Sequence, residues 1–443
     1  MRERSPPAKK ENDTVLNFIY NLFLPIGFLF FIPGLLIKYR SRGGWKATYG
    51  ERFGRFTPER REELAAFHGA IWIHAVSVGE TVVALSLIGN YLKRFPDRKF
   101  ILSTTTTTGQ ELARQRCPAN TAVIFCPIDF RRMVRRTFDV LQPAMLAIFE
   151  TEIWPNLIGE ARRRGIPAVL VNGRMSDHSA AGYRKAKIFF DPLLRQFDAL
   201  LVQTQADADR YLGISPQAKV IVNGNLKFDQ SVPDSIEDPH LETYFGPGEH
   251  QVLLAASTHP GEEALVAASY RELKERFPAL KLVLVPRHAE RGADIAAMLA
   301  EKGLSFCRRG AGELPAEPVD VLLADTTGEM FKFMNAADIV VMGKSLAGHD
   351  EGHNLIEPAL LAKPIVTGHV LRNFRYLMDA LCSADALVAI TGDAELTPRL
   401  AELLEKPELR RELGERACET IRRHRGAADR TVDALEKLLT AQN

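Results

Sequence analysis

Cysteine is scarce. The 443 residues hold five, an odd number, and no two form a C-x-x-C pair. That spacing excludes a disulfide framework and a zinc ribbon; Cys117, Cys126, Cys307, Cys382 and Cys418 read as reduced thiols in a cytosolic body. Excess charge is missing too. Lys and Arg number 57 against 55 Asp and Glu, a net +2, which excludes a dedicated nucleic-acid binder and leaves electrostatics to local clusters. No short repeat or low-complexity tract appears. With 46% hydrophobic and 25% charged residues, the chain has the composition of a folded protein long enough for two domains.

Charge is also absent from one segment, Val15 to Ile37 (VLNFIYNLFLPIGFLFFIPGLLI), which Lys38, Arg40, Arg42 and Lys46 follow. About 20 apolar residues suffice to cross a bilayer, and no small-residue cleavage site follows to mark a secretory signal. Asn17, Asn21, Pro25, Gly27, Pro33 and Gly34 interrupt the run and suit a broken segment lying in the interface. A buried core hairpin is the plain alternative. Basic residues on both sides leave orientation undefined. The expectation is membrane attachment, with a spanning and a monotopic anchor both open.

Beyond the anchor, short apolar strands alternate with helical patterns. Ile71–Ala75, Phe100–Thr104, Ala122–Phe125, Met145–Phe149, Ala168–Asn172, Leu200–Gln203 and Lys219–Asn223 read as strands. So do Val252–Ala256, Leu282–Val285, Val319–Ala324, Ile339–Met342 and Pro364–Thr367. This alternation predicts parallel sheets with right-handed crossovers. A stretch rich in Pro, Asp, Glu and Gly separates the two series. The predicted organisation is an anchor and basic linker (1–46), an α/β domain (47–228), a linker (229–250) and a second α/β domain with a charged helical tail (251–443). The fold class is α/β, two Rossmann-like domains facing a cleft where ligands bind at strand C-termini.

Chemistry-bearing residues cluster at predicted strand ends. In His74-Ala-Val-Ser77-Val-Gly79-Glu80, Ser77 and Glu80 match a capping box, and the same Glu80 is placed to act as a general base. Glu150 and Glu152 follow the next such strand and precede Pro155; one can cap a helix while the other faces the cleft. Arg131, Arg132, Arg135 and Arg136 recur at i, i+4 on one helix. They form either a solvated face or a contact for anionic headgroups. Pro286-Arg287 closes a strand, and arginine suits phosphate or carboxylate. Gly328-Glu329-Met330 opens a helix whose free N–H groups favour an anion. Asn354-Leu355-Ile356-Glu357 stands at another helix mouth. There, either Asn354 caps with Glu357 third, or Glu357 caps with Pro358 first. Gly343-Lys344-Ser345 is not a P-loop, because Asp338 occupies the place of its first glycine. His349 and His353 lack the H-E-x-x-H pattern of a metal site.

In order along the chain, IWIHAVSVGE, FETEIWPNL, VNGRMS, NGNLKFD, ASTHPGEE, PRHAER, DTTGEM and EGHNLIEP, behind the apolar N-terminus, resemble the 3-deoxy-D-manno-octulosonic acid (Kdo) transferases of lipopolysaccharide synthesis. The resemblance covers nearly the whole chain. It implies a glycosyltransferase-B architecture. The reaction implied is transfer of Kdo from CMP-Kdo to a lipid A precursor (lipid IVA) at the cytoplasmic face of the inner membrane. No cofactor, metal or nucleic acid is expected: the small net charge argues against nucleic acid and the missing H-E-x-x-H pattern against a metal. Matched residue by residue, Glu80 corresponds to the family's proton acceptor, and Glu150 and Lys227 to stabilisers of the transition state. Pro286-Arg287, Gly328-Glu329-Met330 and Asn354-Leu355-Ile356-Glu357 correspond to the CMP-holding stretches. The chain departs from the family pattern at Gly343-Lys344 and Glu351-Gly352, where paired glycines are usual. One base and no evident covalent nucleophile predict a single displacement with inversion. A reaction confined to one face of the membrane favours the monotopic anchor. Another glycosyltransferase-B enzyme with a different nucleotide-sugar, or a non-catalytic membrane-bound scaffold, would share the same architecture.

Overall fold

The computed structural model describes residues 20–22, 24, 50–230, 232–233 and 235–441. The apolar segment expected to anchor the chain lies outside the described residues except at 20–22 and 24. Among the described residues no helix is long and apolar enough to cross a membrane. The chain divides into two units, Met1–Asp229 with Arg425–Asn443, and Gln230–His424.

The first unit is built on strands β1 (Ile71–Ala75), β2 (Phe100–Thr104), β3 (Thr121–Phe125), β4 (Met145–Phe149), β5 (Ala168–Gly173), β6 (Ala199–Val202) and β7 (Val220–Val222). Their order is β3-β2-β1-β4-β5-β6-β7, every pair parallel. Strands β1 to β6 are buried along their whole length, as continuous apolar runs in a sheet covered on both faces must be. Strand order reverses between β1 and β4, where Ile71 pairs with Met145 and His74 with Ile148. Open α/β sheets leave a crevice at such a point. It receives the residues after Ala75 and Phe149.

The second unit carries β8 (Gln251–Thr258), β9 (Leu280–Pro286), β10 (Phe306–Arg308), β11 (Val321–Leu323), β12 (Ile339–Met342), β13 (Ile365–Gly368) and β14 (Val388–Ile390). All are parallel, in the order β10-β11-β9-β8-β12-β13-β14. Here the reversal falls between β8 and β12. Twelve of the fourteen strands match sequence-predicted ones to within a few residues. The two without a counterpart, β10 and β14, are three-residue edge strands, too short to leave a periodic signal.

Two sequence expectations fail. Residues 229–250 are not a free linker: Asp229 belongs to the first unit, and Leu241, Tyr244 and Phe245 are buried. The Tyr244 carbonyl accepts the Val319 N–H at 2.9 Å, which fastens the segment to the second unit. Nor does the whole tail belong to the second domain. Helices Leu396–Glu405 and Pro407–His424 do, but the last helix, Ala427–Thr440, returns to the first sheet. Its Val432 and Leu435 are fully buried there with Leu87, Ile88 and Tyr91. Burial of each contributes roughly 1.5–3 kcal/mol. The Asp229 carboxylate accepts the N–H groups of Gly426 and Ala428 at 2.5 and 2.6 Å and so caps that helix. Charge-rich composition concealed the apolar stripe.

Candidate functional site

In the first unit, Ser77 caps the helix Val78–Arg94, and Glu80 folds back onto the cap as in a capping box, but to the N–H one residue before it. The Glu80 N–H donates to Ser77 Oγ at 3.3 Å. The Val76 N–H donates to Glu80 Oε2 at 2.8 Å, and the Ser77 hydroxyl to Oε1 at 3.0 Å. Capping is not the whole account. Burial pushes the Glu80 carboxyl above the ordinary carboxylate range, and the Glu150 charge adds to that push. The Val76 N–H, the Ser77 hydroxyl and Lys227 pull the other way. A half-buried carboxylate held as an acceptor, with a raised affinity for a proton, is equipped as a base.

Glu150 is buried at the end of β4 with φ +55°. Its Oε1 meets Lys227 Nζ at 2.9 Å and its Oε2 meets Arg174 Nε at 2.9 Å. Glu152 lies close enough for the Glu80 and Glu150 charges to add to the burial that raises its pKa. Neither glutamate caps the helix Pro155–Arg163. Asp129 does so, its carboxylate accepting the Asn156 and Leu157 N–H groups at 3.0 and 2.9 Å. Both glutamates are thereby left for other work. Asn172, also at positive φ (+56°), accepts the Leu226 N–H on Oδ1 at 3.0 Å and fixes the turn that presents Lys227.

In the second unit, Pro286 ends β9 and Arg287 follows, exposed, its N–H donating to the Thr258 carbonyl at 3.0 Å. Gly328 sits at φ +85°, a conformation that favours glycine. Glu329 is clamped by Arg309 (2.9 and 2.8 Å) and by the Thr326 hydroxyl, and its carboxyl is held low, mainly by Arg309. Met330 opens the helix Met330–Ala336. At the next mouth, Asn354 Oδ1 accepts the Ile356 N–H at 3.1 Å, and Leu355 and Ile356 are buried. Leu355 occupies the cap position and Pro358 is the third helical residue, so Glu357 does not cap. Glu357 is instead mostly buried with a raised pKa, which Arg287 opposes.

Sequence reasoning passed over Glu262, which organises this end of the sheet. It is fully buried. Oε2 accepts the N–H groups of His259 and Lys344, both at 2.8 Å, and Oε1 those of Ser345 and Leu346, both at 2.9 Å. Its place in ASTHPGEE was visible; its acceptor role needed the fold that brings β12 beside β8. Four imidazoles gather here. His259 and His353 bring their Nε2 atoms within 3.2 Å of each other. The metal-compatible group found among the described residues, Asp238, His240 and Glu242, is exposed throughout.

The arginine helix Arg131–Leu141 does not present its four arginines together. Arg131, Arg132 and Arg135 line one cavity of about 630 Å³ with Arg163 and Asn156. Arg136 turns away to a second cavity with Arg55 and Arg61. Among the described residues, none of the first three has an acidic partner within 4.0 Å. A third cavity, of about 490 Å³, is lined by Glu152, Ile153, Tyr183, Phe189 and Phe190. Tyr183 and Phe190 stack there at 3.9 Å. Pro155 lines both the basic and the apolar cavity.

The family model described as 3-deoxy-D-manno-octulosonic-acid transferase (kdotransferase) matches residues 47–230. A 3-deoxy-D-manno-octulosonic acid transferase of Haemophilus influenzae is 32% identical over 398 residues, covering 86% of this chain and 93% of the relative. Its counterpart from Bordetella pertussis is 34% identical over 414 residues, 90% and 94% of the two chains. Among solved structures, a putative UDP-N-acetylglucosamine 2-epimerase from Listeria monocytogenes superposes with a TM-score of 0.55 at 13% identity, over 85% of this chain and 98% of that one. At that identity the likeness is one of fold, two parallel α/β units of the glycosyltransferase-B type.

Proposed function

The chain belongs to the 3-deoxy-D-manno-octulosonic acid (Kdo) transferase family, a glycosyltransferase family, and from that premise we propose that it moves Kdo from CMP-Kdo to a lipid A precursor, lipid IVA, at the cytoplasmic face of the inner membrane. The observation that carries the catalytic reading is Glu80. A half-buried carboxylate with a raised pKa stands where the strand order of the first sheet reverses.

In this reading Glu80 takes the proton of the acceptor's primary hydroxyl as that oxygen attacks the anomeric carbon of Kdo. The new C–O bond forms as the bond to the CMP phosphate breaks, and the electron pair leaves with CMP. One displacement inverts the anomeric centre. Glu150 and Lys227 form an ion pair whose ammonium offsets charge near the reacting oxygen. Arg287 and the stretches 328–330 and 354–357 receive the departing phosphate, with the Ile356 N–H already held by Asn354. Glu329, already held by Arg309, shapes its loop and does not itself touch the anion.

For the acceptor, the cavity of Arg131, Arg132 and Arg135 offers cations to phosphate, and the adjoining apolar cavity offers surface to acyl chain. Purified protein given CMP-Kdo and tetra-acylated lipid A precursor should release CMP and raise the lipid mass by whole Kdo units; no CMP release overturns the reading. Retained anomeric configuration in the product, read by NMR, would overturn inversion.

A further inference from the structure

Tyr20 and Asn21 lie within the uncharged run 15–37, where a polar group without a hydrogen-bond partner is costly. Both have partners, far along the chain. The Tyr20 hydroxyl donates to Asp129 Oδ2 at 2.9 Å, across 109 residues of sequence. The Asn21 side chain forms a reciprocal amide pair with Asn156, 135 residues on. Asn21 Nδ2 donates to Asn156 Oδ1 at 3.0 Å, and Asn156 Nδ2 donates to Asn21 Oδ1 at 2.9 Å. Asp129 and Asn156 are themselves buried and joined. The Asn156 N–H donates to Asp129 Oδ2 at 3.0 Å, and the Asn156 amide also donates to the Asp129 carbonyl. The four side chains make one network, and nothing in the transfer step at Glu80 calls on it.

Its place gives it a use. Asp129 stands two residues before the arginine helix Arg131–Leu141, and its carboxylate accepts the N–H groups that open the helix Pro155–Arg163. These two helices build the basic cavity, with Arg131, Arg132 and Arg135 from one and Pro155, Asn156 and Arg163 from the other. Tyr20 lines the apolar cavity, together with Pro155. Thr151 and Glu152, which follow Glu150 in sequence, line it too. Tyr20 therefore borders one cavity directly, and Asn21 holds a residue of the other, next to the proline that both share. A segment that served membrane attachment alone would need only apolar surface, which phenylalanine and leucine supply as well as tyrosine and asparagine. The hydroxyl and the amide add a fixed position.

We propose that Tyr20 and Asn21 are positioning residues for the lipid acceptor. Their bonds to Asp129 and Asn156 clasp the apolar N-terminal run to the wall that the basic and apolar cavities share. The run that meets the membrane and the cavities that receive a phosphorylated, acylated lipid then keep one relation to each other. The inference rests on the acceptor reading above.

The test uses the full-length protein on phospholipid vesicles that hold tetra-acylated lipid A precursor. Tyr20→Phe and Asn21→Leu remove the polar groups and keep the run apolar; Leu22→Ala alters an exposed neighbour on the same segment. Vesicle flotation, Tm, and kcat and KM for each substrate are read. Tyr20→Phe and Asn21→Leu should float and melt as the wild type does. Each should raise KM for the lipid about fivefold, the weight of one hydrogen bond, with a smaller change in kcat and with KM for CMP-Kdo within about twofold. Leu22→Ala should leave the lipid KM near wild type. Unchanged lipid KM in both clasp variants overturns the positioning role. If Arg131→Ala with Arg135→Ala raises that KM in the same assay, the acceptor reading stands without the clasp. Loss of flotation, or an equal rise with Leu22→Ala, overturns the clasp in favour of plain membrane attachment. An equal rise in KM for CMP-Kdo overturns it in favour of a general distortion. A wild-type protein that releases no CMP overturns the underlying reading, and the clasp's role falls with it.

Discussion

Lys227 Nζ lies 2.9 Å from Oε1 of Glu150, and both charges act on Glu80, the ammonium lowering its pKa and the carboxylate raising it. The pair therefore tunes the base from two sides. Its members come from distant parts of the first unit's sequence and meet only because β4 ends beside the turn that Asn172 fixes.

Glu80→Gln separates capping from catalysis. The amide keeps one oxygen to accept from Val76 or Ser77, so the substitution should lower stability by roughly 1 kcal/mol or less. Transfer should fall by about 10²-fold or more if the carboxylate is the base. A variant that keeps full transfer would reduce Glu80 to a cap. Circular dichroism melts and CMP release give the two readings.

The acidic limb of the pH–rate profile should follow Glu80 and lie above the ordinary carboxylate range, because burial raises that group. The base works only when ionised, so activity falls as pH drops through the limb. Lys227→Met removes a charge that lowers the Glu80 pKa and should move the limb to higher pH. Glu150→Gln removes a charge that raises it and should move the limb lower. Shifts of the same sign in both variants would refute the assignment.

Glu262→Gln should weaken the second unit sharply. An amide cannot accept on both ends, so two of the four N–H groups now bonded to Glu262 would face an NH₂. Losing charge-assisted bonds at about 1.5–3 kcal/mol each predicts a cost on the order of 3 kcal/mol or more. Urea unfolding followed by fluorescence measures it; a cost below about 1 kcal/mol would contradict the buried geometry.

Arg131→Ala with Arg135→Ala should raise KM for a phosphorylated lipid acceptor several-fold, while Arg136→Ala leaves it near wild type. The structure puts Arg131 and Arg135 on one cavity and Arg136 on another. If all three weaken the acceptor equally, the cavity is not its site and a diffuse surface charge is.

How much of this was legible beforehand depended on the range of the signal. Strands fully buried in parallel sheets are written as apolar runs, so twelve of the fourteen strands could be read directly, while the short edge strands β10 and β14 could not. Ser77 and Glu80 are three residues apart, and their capping box was visible in the spacing. Asp129 was not, because it caps a helix that starts 26 residues later by sequence and beside it only in space. Glu262 escaped for the same reason: its partners lie more than eighty residues on, except for His259. The four arginines looked alike in sequence and diverged in space, since at about 100° per residue Arg136 lies farthest around the helix from Arg131, about 140° away. The last helix was assigned to the wrong unit because nothing local records which sheet a stripe will cover.

That last helix sets an order of events during synthesis. The first unit leaves the ribosome early, yet part of one face of its core stays uncovered until Ala427–Thr440 emerges. All of the second unit must be translated in between, a wait of roughly 10–40 s at bacterial elongation rates. Until then the apolar surface that Val432 and Leu435 cover stays open. A stop codon just after His424 would leave a protein that retains every strand of both sheets and still lacks the helix that finishes the first unit.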